Sequence, residues 1–156
     1  MKTNRTLLVV AAFWLTAAAT TFAASAQMGT WKLNEAKSKF GPDATKNKTV
    51  TYAAAEGGMT KVTVDGTDKD GKAVHWTTTV KFDGKPYKVE GDPVADEVVY
   101  KSVSSQTNEI TLMKDGKVVA SGKITVSKDG KSRVVTISAK GADGKKMSEK
   151  AYYDKE

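Results

Sequence analysis

Apolar and polar residues alternate with a period of two along most of this chain. Between residues 74 and 82 the even-numbered positions are mostly apolar and the odd-numbered positions polar, and residues 118–126 largely repeat the pattern. Because successive side chains of a strand point to opposite faces, each run predicts a β-strand with one buried face. We predict nine or ten strands, in segments at 29–33, 50–54, 62–64, 74–82, 86–89, 98–100, 110–112, 118–126, 133–137 and 150–154.

The connections between these segments share one sequence. Asp-Gly-Lys occurs at 70–72, 83–85, 115–117, 129–131 and 143–145. Asp-Gly is typical of two-residue type I′ hairpin turns, in which both central residues take positive φ. Such turns join neighbouring antiparallel strands, so the order of strands in space should follow the chain. An open sheet of this size would expose two edges, and closure removes both. We therefore predict an all-β antiparallel up-and-down meander that closes into a barrel of roughly eight to ten strands, with a sandwich as the alternative.

One segment near the start departs from the alternation. Residues 34–40 predict a single helical turn with Asn34 as its N-cap, which Gly41-Pro42 ends. We expect Phe40 to fold back onto the barrel and the residues up to Asn47 to form a loop.

Residues 1–26 have the pattern of a cleavable secretory signal peptide. Lys2 and Arg5 precede an apolar run, and Ala24-Ser25-Ala26 supplies small residues at a cleavage site. A retained transmembrane helix is the alternative, although such helices usually need about 20 strongly apolar residues. We expect an exported protein, periplasmic or extracellular, whose residues 27–156 form one domain with no membrane-spanning segment after processing. The chain has no cysteine, which excludes disulfides and Cys-based zinc sites.

The net charge is +7, and removal of Lys2 and Arg5 lowers it to +5. Arg133 is then the only arginine, and the lysines form no clustered run. Nucleic-acid surfaces rely on arginine and on aromatic stacking, so we predict no nucleic-acid partner. The lysines are interpreted as a solvating surface, with a weak attraction to anionic envelope material as the alternative.

Catalytic and metal-binding patterns are weak. His75 is the only histidine, and it alternates with the apolar face, so we expect it on the surface. The acidic turn at 65–71 lacks the ligands of a calcium loop, because Gly66 and Thr77 occupy the first and twelfth positions. No serine lies in a nucleophile motif. We predict no catalytic residue, no metal and no cofactor.

The aromatic residues are the better candidates for function. Small barrels are either filled by side chains or leave room for a small ligand. The predicted inward face mixes aromatics with small residues such as Ala120, Gly122 and Ala151. Arg133 also falls on an inward face; buried, it would need an anion, and we expect it near a solvated rim. The predicted cavity lining is Trp31, Tyr52, Trp76, Tyr100, Arg133 and Tyr153.

The pentapeptide at 29–33, Gly-Thr-Trp-Lys-Leu, resembles the first-strand signature of the calycin superfamily, which includes lipocalins and fatty-acid-binding proteins. Residues 153–155 are similar to the end of the last strand of fatty-acid-binding proteins. The chain after the leader also resembles small exported lipocalin-like bacterial proteins of undetermined function. The resemblance implies an up-and-down barrel, Trp31 packed across its closed end, and a capacity for small apolar ligands.

Two departures limit that implication. Ala151 stands where fatty-acid-binding proteins place a carboxylate-binding arginine, and the two-helix lid is reduced to the Asn34–Asn47 segment. We therefore predict an exported monomeric barrel that binds a small, largely apolar molecule in its interior. The alternatives are a filled barrel that acts as a surface interaction module, on an envelope partner or an inhibited enzyme, and an enzyme that uses His75.

Overall fold

A computed structural model describes residues 26–140 and 144–156, so the signal peptide predicted for residues 1–26 lies outside the described residues except for Ala26. Ten strands follow one another with few interruptions. They are β1 (Gly29–Leu33), β2 (Lys46–Ala55), β3 (Met59–Thr67), β4 (Ala73–Val80), β5 (Asp83–Glu90), β6 (Glu97–Ser102), β7 (Thr107–Lys114), β8 (Lys117–Val126), β9 (Ser132–Lys140) and β10 (Lys146–Lys155).

Every strand pairs antiparallel with its neighbours in the sequence, and β1 pairs with β10, so the sheet is a closed barrel. The register of the closing pair places Trp31 opposite Lys155 and Leu33 opposite Tyr153. The predicted all-β antiparallel barrel is confirmed. No helix in the described part of the chain is long and apolar enough to cross a membrane.

The turns differ from the prediction. Among the Asp-Gly pairs whose two residues are both described, only Asp115-Gly116 has positive φ at both, at 51° and 72°. In the turn after β8, Gly130 alone is positive, and its N–H donates to the Ser127 carbonyl oxygen at 2.9 Å. This is a type I turn followed by a left-handed glycine, the other common short hairpin connection. The 83–85 tripeptide is not a turn at all, since β5 begins at Asp83.

The segment between β1 and β2 agrees with the sequence. A 3₁₀ turn spans Glu35–Lys37, and the Asn34 side chain caps it by accepting the Lys37 N–H at 3.3 Å. Phe40 is partly buried against the core.

The barrel has its least extensive strand pairing between β4 and β5, and we call this pairing the seam. Only two residue pairs join these strands, Thr77 with Glu90 and Thr78 with Val89. The Thr78 hydroxyl adds a bond to the Lys88 carbonyl oxygen at 2.6 Å. Beyond that point the hydroxyl of Tyr87 donates to Asp83 Oδ2 within β5 itself.

The two ends of the barrel differ. We call the end that carries the β2–β3, β4–β5, β6–β7 and β8–β9 turns the closed end, because Trp31 lies there and is fully buried. The other end carries the remaining connections and is called the open end. The core extends from the closed end toward the open end, and Val62, Val80 and Val98 within it are also inaccessible to solvent.

Candidate functional site

The six predicted lining residues are all buried, with no more than 6% of any of them exposed. Five of them pack on one another at the closed end and form what we call the floor: Trp31, Tyr52, Tyr100, Arg133 and Tyr153. Trp76, on β4, pairs with Val64 and lies nearer the open end. The structure therefore brings five of the six together and leaves Trp76 outside the floor.

Arg133 is the centre of the floor, and the expected solvated rim position is wrong. Only 2% of it is exposed, because its partners in the register are the inward residues Val126 and Tyr153. Its guanidinium carbon lies 4.8 Å from the Trp31 ring centroid, 5.1 Å from that of Tyr52 and 4.7 Å from that of Tyr153. Aromatic faces attract a cation, most strongly where water is excluded.

The expected anion is also missing from the surroundings of Arg133 within the described residues. No carboxylate there lies within 4.0 Å of the guanidinium, and Nη1 instead donates to the amide oxygen of Gln27 at 2.9 Å. Nε has no partner. Three rings and one amide thus replace the carboxylate that usually accompanies a buried arginine.

Gln27 is the floor residue that sequence reasoning missed. It is fully buried, and its carbonyl oxygen accepts the indole N–H of Trp31 at 2.7 Å. One residue therefore ties Trp31 through its backbone and Arg133 through its side chain. The only sequence signal for Gln27 is its position four residues before Trp31. The alternation that marks strand residues does not include this position.

The tyrosines complete the floor. The ring of Tyr100 packs edge-on against Tyr52 at 6.5 Å and lies 5.2 Å from Phe82. Burial raises the pKa of Tyr100 well above its ordinary value, and the neighbouring Tyr52 adds to the effect. Burial also raises the pKa of Tyr153 to about 12, although Arg133 opposes the shift. Tyr100 and Tyr153 are therefore neutral near neutral pH, and the Tyr153 hydroxyl donates to the Asn47 carbonyl oxygen at 2.9 Å.

The open half of the interior is less completely packed. Residues that face inward by their register stay partly exposed there, and for Val135 this is so although both of its partners across the strands are buried. Val135 lies between buried Ile124 and buried Ala151, and Ile137 lies between Gly122 and Glu149. A side chain that faces into a barrel is reached by solvent only through the interior or the mouth, so this half is a cup. Its partly exposed inward residues are Leu112, Val135, Ile137, Ala139, Met147 and Glu149.

Small residues lie on the β8–β9 side of this cup, although at Gly122 the backbone of Thr136 approaches so closely that a Cβ would overlap it. Ala120 and Gly122 of β8 face Ala139 and Ile137 of β9. A depression of about 840 Å³ lies beside them on the outer face of β7–β9, where Thr111, Ser121 and Lys123 line it, and it is not part of the cup.

Among the described residues, Glu149 is the one carboxylate whose register places it on the inner face of the cup. Partial burial raises its pKa, and a backbone hydrogen bond from Gly41 opposes the shift. The site therefore has the Arg133 cation within its floor, apolar walls, and the carboxyl group of Glu149 near its mouth.

The surface features considered for chemistry stay apart from the cup. His75 is exposed, as expected, and its Nδ1 lies 2.6 Å from Asp65 Oδ1 on the outer face. The acidic turn is a hairpin in which Asp68 Oδ1 accepts the N–H groups of Asp70 and Lys72. Within the described residues no group of three or more His, Cys, Asp or Glu side chains could hold a metal ion.

Comparisons with known proteins give no family. No protein-family model matches the chain, and no curated protein matches it. A comparison with solved structures finds the following two matches. A structure of EF1p2_mFAP2b bound to DFHBI is 12% identical, covers 88% of this chain and 99% of its own, and has a TM-score of 0.49. A redesigned β-barrel, mFAP1, bound to DFHBI, is 14% identical, covers 86% and 98%, and has a TM-score of 0.44. The strand pairing itself defines the class: a closed, ten-stranded, antiparallel up-and-down barrel.

Proposed function

We propose that this protein binds a small, largely apolar molecule in the cup, without catalysing its conversion. The observation that carries the proposal is the partial exposure of inward apolar residues at mid-depth, Val135 and Ile137, above a floor that is fully packed. Eight strands already enclose an interior that side chains just fill, and barrel diameter grows with strand number. Ten strands, with Ala120 and Ala139 facing each other on one wall, support the proposal of more interior space than these side chains occupy.

The chemistry of the walls indicates the ligand class. Leu112, Val135 and Ile137 offer apolar surface, and Glu149 is the only charged side chain described in the cup. The ligand we propose is therefore mostly apolar and uncharged or weakly basic. We also propose that the protein is exported and acts as a monomer; the support for export is the leader pattern of residues 1–26.

A filling substitution tests the proposal. Replacing Ile137 by Trp places a large side chain in the cup, whereas replacing the adjacent Thr136 by Trp places the same side chain on the outer face. We expect the neutral dye N-phenylnaphthylamine to bind the wild type and the Thr136→Trp variant, and to bind Ile137→Trp at least about tenfold more weakly. Circular dichroism melting of both variants checks the fold.

A second measurement looks for the native ligand. Organic extraction of protein purified without denaturant, followed by mass spectrometry, should release one molecule in stoichiometric amount. The proposal fails if the extract is empty and the dye distinguishes neither variant from wild type. A filled barrel acting through its surface would then be the better interpretation.

A further inference from the structure

Gln27 is the floor residue whose side chain is only partly paired. Its Oε1 accepts a hydrogen bond from Arg133 Nη1 at 2.9 Å, whereas its Nε2 has no hydrogen-bond partner. Gln27 is fully buried, so its exposed fraction leaves no contact of Nε2 with bulk water. A buried donor without a partner is costly, and native structures contain few of them. The unpaired nitrogen therefore needs a physical account.

The surroundings of Gln27 are also unfavourable for a second positive charge. The leader pattern predicts cleavage after Ala26, which would make Gln27 the first residue and give it an α-ammonium group. Gln27 already contacts the buried guanidinium of Arg133, and no carboxylate of the described residues lies within 4.0 Å of that guanidinium. Burial and a neighbouring like charge both disfavour an ammonium. A free α-amine at position 27 is therefore poorly matched to the floor.

Cyclisation of the new terminus would remove both the unpaired donor and the charge. The neutral α-nitrogen attacks the side-chain carbonyl carbon Cδ, and the new N–Cδ bond closes a five-membered lactam. The Cδ–Nε2 bond breaks, and Nε2 leaves as ammonia together with the proton that the α-nitrogen gives up, so no oxidant or reductant is needed. An α-amine has a pKa of about 7.7–8.0, so part of it is neutral and nucleophilic near neutral pH.

The groups that the floor uses survive this reaction. The lactam keeps the side-chain carbonyl oxygen, which is the acceptor that Arg133 requires. The backbone carbonyl oxygen of Gln27, which accepts the Trp31 indole N–H at 2.7 Å, does not take part. The group that is lost is Nε2, the one polar atom of the side chain without a partner.

We propose that the mature protein begins with a pyroglutamate formed from Gln27, and that this neutral lactam completes the floor beside Arg133. The inference rests on the export proposed above, because cleavage after Ala26 must precede cyclisation. It does not depend on a ligand in the cup. Strand pairing of β1 begins at Gly29, so closure of the barrel needs no residue of the leader.

The intact mass of the full chain after expression with its own leader tests the modification. We expect the mass of residues 27–156 less one ammonia. Edman degradation of the denatured protein should release nothing until pyroglutamyl aminopeptidase has removed the first residue. Gln27→Asn is the matched control, because it keeps residues 24–26 and a side-chain amide but is one methylene too short to close a five-membered lactam. It should show no loss of ammonia, and its degradation should begin at position 27.

A second comparison tests the role of the lactam in the floor. A fusion that is cut in vitro directly before Gln27 gives the free amine, and the same sample after complete cyclisation gives the lactam, with mass spectrometry to confirm each form. We expect the lactam form to have the higher urea midpoint at pH 7, because it places no ammonium beside Arg133. Equal midpoints would overturn the role in the floor.

The results separate this inference from the proposals on which it rests. Wild-type protein that begins at Gln27 with a free α-amine would overturn the modification and leave export intact. Protein that keeps the leader, or begins at another residue, would overturn the modification because its premise is wrong. Binding of N-phenylnaphthylamine has no part in either measurement, so failure of the cup as a ligand site gives a different result.

Discussion

Replacing Trp31 by Phe tests the floor most directly. The substitution removes the indole N–H and leaves the Gln27 carbonyl oxygen, now 2.7 Å from its donor, without that partner in a fully buried position. An unsatisfied buried acceptor costs about 1–3 kcal/mol. The smaller ring also loses apolar contact and part of its attraction for the Arg133 guanidinium, worth about 0.5–1 kcal/mol. We expect a loss of about 2–4 kcal/mol in the free energy of unfolding.

Two further variants separate the parts of this loss. Trp31→Ala leaves a cavity as well, and buried Trp→Ala changes typically cost about 3–5 kcal/mol before the hydrogen bond is counted. Trp76→Phe is the matched control. It too is a buried inward indole, 6% exposed, yet it makes no hydrogen bond within the described part of the chain. We expect it to cost about 1 kcal/mol.

Urea unfolding followed by far-ultraviolet circular dichroism is the appropriate assay, because the substitutions change tryptophan fluorescence. An unchanged dependence on urea concentration would show that the difference lies in stability and not in the compactness of the unfolded chain. If Trp31→Phe costs no more than Trp76→Phe, the bond to Gln27 contributes nothing and the reasoning about the floor is wrong.

Three other changes test separate parts of the barrel. Burial raises the pKa of Glu149, so the native state holds this proton more tightly than the unfolded chain, and stability falls as pH rises from the unfolded value near 4.5 through the native pKa. Glu149→Gln should therefore raise the urea midpoint at pH 7 and not at pH 3; an equal gain at both would contradict burial as the cause. Gly91→Ala should cost about 2 kcal/mol or more, measured by thermal unfolding, because φ is +89° and the new Cβ would lie 2.5 Å from the His75 carbonyl oxygen; a neutral result would refute the close approach. Tyr87→Phe removes the 2.9 Å bond to Asp83 and should cost about 0.5–1 kcal/mol. Hydrogen exchange over residues 79–87 should accelerate more than elsewhere, and uniform acceleration would argue against a local seam.

The sequence predicts the barrel well because the evidence for it is local. Alternation within 74–82 and 118–126 marks strands by side-chain direction alone, and short turns leave only sequential pairing. The turn type was less predictable. Asp-Gly fits both a type I′ turn and a type I turn with a left-handed glycine, and the number of residues between paired strands selects one of them.

The floor shows what alternation cannot supply. The period of two assigns Arg133 to an inward face. It does not tell how far along the barrel axis Arg133 lies, because that position depends on the stagger between strands that are distant in sequence. Gln27 precedes the first strand, so no alternation applies to it. Its role follows from the closing of β1 on β10, which brings residues 27 and 133 together.

The interior therefore divides into two parts that respond differently to mutation. In the floor, bulky residues and the buried Arg133 depend on one another, so substitutions there change stability first and are not additive. In the cup, the inward residues Val135 and Ile137 are only partly buried, and Ala120 and Ala139 are small, so we expect a larger side chain at position 137 to enter free space before it strains the fold. A variant such as Ile137→Trp can then lose binding while it keeps its unfolding midpoint. That separation is what a ligand-binding barrel requires, because a filled interior would respond to every inward substitution with a change in stability.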